Sequence, residues 1–123
     1  MRRLALALAV PLALAAAGCG PAGAPFRLAL SWRFADGRRC AEAGVMAVAI
    51  TLDAVAVGPE GGHLCERGEP PSSQLLEGEG PTDKPLVLVG RSPQGAALYR
   101  GELSLSRPWP SQATATLSFR GGG

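Results

Sequence analysis

The sequence predicts an all-β domain, an antiparallel β-sandwich over residues 26–120, preceded by a signal-peptide helix over residues 1–18. Three observations carry that expectation. Apolar and polar residues alternate along several short runs, the period-two mark of half-buried strands. Gly and Pro clusters punctuate the chain at roughly 8–12-residue spacing. No long amphipathic helix follows the leader.

The leader comes first. Arg2 and Arg3 precede an apolar run from Leu4 to Ala17, and the small residues Ala16, Ala17 and Gly18 lead to Cys19. This is the charged, apolar, small-residue order of a secretory signal. As a helix the run measures roughly 21 Å, short of the roughly 30 Å hydrocarbon core, so it is a poor permanent span. Residues 19–25 then make a short tether of Gly, Ala and Pro.

Phe26–Phe34 is the clearest strand. Phe26, Leu28, Leu30, Trp32 and Phe34 share one face, with Arg27, Ala29, Ser31 and Arg33 on the other. Asp36-Gly37 makes a turn, and one helical turn fits Ala41–Gly44. Val45–Val57 alternates with Met46, Val48, Ile50 and Leu52 inward, then slips by one at Asp53, which reads as a bulge. Gly58–Gly62 breaks the chain before a brief strand at His63–Cys65. Residues 66–85 read as mostly loop, with only Leu75 and Leu76 buried. Leu86–Gly90 and Ala97–Leu105 flank a turn at Pro93-Gln94-Gly95. Arg107-Pro108-Trp109-Pro110 is another break, and Ala113–Phe119 is the last strand. The three terminal glycines are expected to fray.

Composition narrows the function classes. With Arg2 and Arg3 left in the leader, ten basic side chains face ten acidic ones, so no basic face for nucleic acid is indicated. Eleven arginines against the single Lys84 reflect codon bias more than phosphate recognition. Acids gather between residues 60 and 83, at Glu60, Glu66, Glu69, Glu77, Glu79 and Asp83, with Arg67 as the one base. Cys40 and Cys65 are an even pair suited to a disulfide in an oxidising compartment. Two buried thiols, or a metal site that adds His63, are the alternatives.

Two resemblances sharpen the picture. Ala16-Ala17-Gly18-Cys19 resembles the lipobox of bacterial lipoproteins, which implies cleavage before Cys19 and fatty acylation (palmitate-type chains) on it. Gly20 in the next position, rather than Asp, implies sorting to the outer membrane in a Gram-negative envelope. The order Trp32-x-Phe34, Cys40, Gly44-Val45, Cys65 and Gly95-x-x-Leu98-Tyr99-x-Gly101 resembles exported bacterial domains of the transthyretin-like and carboxypeptidase-regulatory-like type. Over residues 26–105 that implies a prealbumin-like sandwich, an Ig-like architecture serving as an accessory module without catalysis.

Catalytic signals are thin. His63 is the single histidine and reads as a solvated loop residue; no G-x-S-x-G occurs, and a disulfide would remove the thiolate that a Cys–His pair needs. Gly78-Glu79-Gly80-Pro81 lacks the Lys-Ser or Lys-Thr of a phosphate loop. Glu77 and Glu79, with Glu60 and Asp83, supply oxygen ligands for calcium, though no D-x-D-x-D-G pattern is present. Trp109 suits either stacking on a sugar or capping the core. The reading is a non-enzymatic, lipid-anchored envelope protein without catalytic residues, metal or cofactor. Its contacts would be the membrane through Cys19 and a protein or glycan partner, with a carbohydrate- or calcium-binding module built on Trp109, Glu77 and Glu79 as the alternative.

Overall fold

The computed structural model describes residues 23–120; the expected leader, the expected lipidation of Cys19, residues 20–22 of the expected tether and the expected fraying of the three terminal glycines all lie outside them. The elements are β1 (Ala24–Phe34), a single-turn helix α1 (Cys40–Ala43), β2 (Ala47–Leu52), β3 (Val55–Ala56) and β4 (His63–Leu64). After a 3-10 turn at Cys65–Gly68 come β5 (Gln74–Gly80), β6 (Leu86–Arg91), β7 (Ala97–Leu103) and β8 (Gln112–Phe119). The fold is all-β. Among the described residues no helix is long and apolar enough to cross a membrane.

β1 sets the core. Its five alternating large side chains, from Phe26 to Phe34, are all buried, with Leu28 and Leu30 fully so. Side chains of that size contribute up to about 1.5–3 kcal/mol each, an upper bound because unfolded chains already bury some surface. The strands run β3-β2-β6-β7-β8-β1-β5 in one curled sheet, with β4 also on β2. β1 pairs antiparallel with β5 from Ala24↔Gly80 to Leu30↔Gln74. On its other side it runs parallel to β8, from Ala29↔Gln112 to Phe34↔Leu117. The antiparallel expectation therefore fails at this one pair, where β8 follows its sheet neighbour β7 and runs alongside the first strand of the domain.

β8 is where the sheet bends. Its first six residues lie along β1, but it joins β7 only through Tyr99↔Phe119 and Arg100↔Ser118. Gly101 permits that crossing: a Cβ there would run into the Thr116 carbonyl oxygen. Trp32 fills the space beneath the 3-10 turn, its Nε1 donating to the Cys65 carbonyl at 2.9 Å, and only a glycine at position 68 leaves room for its indole.

Cys40 and Cys65 form a disulfide across 25 residues of chain, both buried. It ties α1 to the 3-10 turn. α1 is otherwise too short to hold itself, and its N-terminus is fixed from outside: the Cys40 amide donates to Glu69 Oε2 at 2.6 Å and the Arg39 amide to Glu42 Oε1 at 2.8 Å.

Several expectations are corrected. The stretch 66–85 contains a seven-residue strand, β5, rather than mostly loop. Its alternation is masked because two of its inward positions are Gly78 and Gly80, where a Cβ would come within 2.9 Å of the Phe26 ring and of Leu52. Leu76 points inward and Leu75 is exposed. The slip at Asp53 is a two-residue hairpin turn, with Asp53 (φ 52°) and Ala54 (φ 67°) both left-handed, as a type I′ turn demands. Met46 is exposed and Val45 is the buried residue, since β2 begins only at Ala47. On β7, Tyr99 is the fully buried residue and Leu98 is half-buried; on β8, Phe119 at the strand's end is exposed.

Two outcomes are expected. Ala54→Gly removes the cost of an L-residue in the left-handed region, partly offset by glycine's extra freedom when unfolded, and should stabilise the domain by about 0.5–1 kcal/mol in denaturant melts. Reducing the disulfide should lower unfolding free energy by about 3.5 kcal/mol, the loop-closure value for a 25-residue loop, measured in melts with and without reductant.

Candidate functional site

A curled sheet that does not close leaves two edges, and here they face each other. β5 ends the strand order on one side; β3 and β4 end it on the other. Among the described residues no backbone hydrogen bond joins β5 to β3 or β4. The seam between them holds two grooves end to end. One, of about 470 Å³, has Phe26, Leu52, Val55 and Val57 with the Gly78–Gly80 backbone along its walls. The other, of about 590 Å³, runs from Gln74 to Glu77 opposite His63 and Leu64. Volumes of that order suit a bound segment or small ligand.

The charges of the seam are segregated. Every charged residue lining the first groove is acidic: Asp53, Glu77 and Glu79. Arg67 lies at the other groove. Alternation along β5 sends Leu75, Glu77 and Glu79 to the outer side of the strand and Leu76 to the core. Glu77 meets its cross-strand neighbour Arg27 at 3.2 Å, an exposed pair worth at most a few tenths of a kcal/mol. Glu79 and Asp53 have no ion-pair partner among the described residues.

The residues singled out from sequence are thus only partly brought together. Glu77 and Glu79 share the seam, while Trp109 sits on the core side of the same end. Its ring lies 5.0 Å from that of Phe26, and its Nε1 donates to the Thr82 carbonyl at 3.0 Å. It caps the core. Glu69 is drawn away to α1 and Arg39. No group of three or more His, Cys, Asp or Glu among the described residues is close enough to hold a metal ion.

His63 is not solvated. It lies buried on β4, its Nε2 donating to the Val57 carbonyl at 2.9 Å and its ring 6.4 Å from Trp32. Gly58 is required beside it, since any Cβ there would strike the imidazole, and it holds a positive φ of 114°. The histidine therefore buttresses the β3–β4 edge. The pattern Gly58-x-x-x-x-His63 carries no signal that reveals this from sequence.

The opposite end of β1 carries a different cluster. Tyr99, fully buried, packs tilted against Phe34 with ring centroids 4.5 Å apart and donates its hydroxyl to Asp36 Oδ2 at 2.7 Å. The Arg38 amide donates to the other oxygen at 3.1 Å. Those hydrogen bonds, Tyr99's foremost, hold the Asp36 carboxyl below its ordinary 3.8. Burial first, and then the Asp36 contact, raises the Tyr99 phenol above 10.0. Nearby, Arg33, Arg38 and Arg39 border a groove of about 570 Å³, but Arg39 pairs with Glu69 at 3.1 Å and Arg38 approaches Asp36 at 3.9 Å.

No protein-family model, curated protein or solved structure matches the chain.

The Asp36–Tyr99 pair gives a pH-dependent expectation. The lowered carboxyl stabilises the fold above pH 3.8 and loses that contribution as pH falls through its folded value. The raised phenol stabilises it below pH 10.0 and loses that contribution as pH rises further. Tyr99→Phe should melt below the native protein at neutral pH, and the gap in Tm should narrow toward both limits. A gap that is constant with pH would remove the pairing from the account.

Proposed function

We propose that this chain is a non-enzymatic lipoprotein of the bacterial cell envelope, anchored through Cys19, whose β-domain binds a partner at the open seam. The observation that carries the reading is the leader ending in Ala16-Ala17-Gly18-Cys19, followed within a few residues by the start of the folded domain at Ala24. Five residues span at most about 18 Å, so an acylated Cys19 would hold the first end of β1 close to a lipid surface. Ala24 pairs with Gly80, which sets the acidic end of the seam on that side. The far end of β1, with Asp36 and Tyr99, lies roughly 33 Å along the strand from Ala24.

The oxidised Cys40–Cys65 pair is in keeping with export, as such bonds persist in oxidising compartments. β5-β1-β8 and β4/β3-β2-β6-β7, hinged at the β7–β8 joint, read as the two layers of a prealbumin-like sandwich. Binding rather than catalysis is supported by how the reactive groups are used. His63 is committed to Val57 and the two cysteines to each other. The carbohydrate or calcium alternative would draw on Trp109, Glu77 and Glu79. Trp109 is taken up by Phe26 and Thr82, and Glu77 and Glu79 belong to no group of three or more candidate metal ligands among the described residues, so no observation favours it.

Metabolic labelling with an alkyne fatty acid tests the anchor. Native chain should incorporate label and sediment with membranes, and Cys19→Ala should lose both. Labelling that survives the substitution, or a native chain that never takes label, would defeat the reading.

A further inference from the structure

The acidic half of the seam specifies a kind of partner. β5 offers seven residues, roughly 23 Å, of strand whose second edge has no neighbour. An exposed edge of this length is a template for strand addition unless something discourages it. The floor beside it is apolar, with Phe26, Leu52 and Val57, and Gly78 is exposed, so backbone is open to close approach there. The charges on this half are all negative, and two of the three have no cation among the described residues.

Those charges sort the occupants. A second copy docking β5 against β5 would bring Glu77 and Glu79 toward their own counterparts, which like-charge repulsion opposes. An anionic lipid surface would be repelled in the same way. A strand with basic residues alternating with apolar ones meets both the apolar floor and the unpaired carboxylates. We infer that the seam between β5 and β3 takes up an extended, cationic segment of a partner protein by strand addition along Gln74–Gly80, its basic side chains set against Asp53, Glu77 and Glu79. This rests on the binding-module reading and deepens it. The acids then have a double effect, discouraging self-association while selecting the partner's charge.

The test uses the full-length chain as the cell processes it, titrated with two acetylated, amidated heptapeptides and followed by amide chemical shifts. One peptide alternates valine with lysine, the other valine with glutamate. The lysine peptide should saturate, weaken with added salt, and shift amides in Gln74–Gly80 and Val55–Gly58; the glutamate peptide should bind at least about tenfold more weakly. The variant Asp53→Asn/Glu77→Gln/Glu79→Gln should lose about tenfold or more for the lysine peptide with its melting temperature unchanged. Should that variant fail to fold, Glu79→Gln alone should show a smaller loss in the same direction. Equal affinity for both peptides, shifts centred on other strands, or no saturation by about 1 mM would overturn the proposal. A chain that takes fatty-acid label but ignores the peptides loses this inference and keeps its anchor, while the converse result removes the anchor alone.

Discussion

The pairing of β1 on both sides organises this domain. Its inward row runs unbroken from Phe26 to Phe34, β5 pairs with its first part (Ala24–Leu30) and β8 with its last (Ala29–Phe34), so one strand supplies five large core side chains and joins two ladders. β8 lies along β1 from Gln112 to Leu117 but meets β7 only through Ser118 and Phe119, where the two strands cross closely at Gly101. The sheet bends at that joint, and the bend brings the two outer edges round toward each other without joining them. The open seam follows from this allocation.

The parts farthest from β1 are held by specific devices rather than by extended pairing. α1 is a single turn that depends on Glu69 and on the disulfide to Cys65. The β3–β4 edge depends on a left-handed turn at Asp53-Ala54 and on a buried histidine packed beside Gly58. Each device is local, so the seam can be flanked by short strands and still keep a defined shape. The arrangement also divides the charges: acids line the seam near the start of β1, and three arginines border the groove at its far end.

Much of this was legible from the residues. The alternation in β1, the turn at Asp36-Gly37, the apolar strand from Leu86 and the even cysteine pair all mean the same thing locally and globally, and they hold. What was hidden has physical causes. β5 escaped because its glycines at positions 78 and 80 are demanded by the neighbouring Phe26 and Leu52 side chains, and glycine in a window of Glu and Pro reads as loop. The Asp53 slip looked like a bulge because a type I′ turn without glycine is rare enough to be passed over. His63 was misjudged because its burial comes from Trp32 and Val57, whose contacts no pattern around the histidine announces. The candidate site was half visible: Glu77 and Glu79 were named, but as loop ligands, since Asp53 approaches them only once the sheet curls.

Native-state amide hydrogen exchange, read residue by residue, bears most directly on the claim that β1 joins two ladders while β5 borders an open seam. Along β1 the amides bonded to β5 within Ala24–Leu30 and those bonded to β8 within Ala29–Phe34 should both be strongly protected. Along Gln74–Gly80 slow and fast exchangers should alternate, the fast set being the N–H groups turned from β1 toward the gap. Uniform slow exchange throughout β5 would mean that the second edge is already paired, and the account of an open seam would be contradicted.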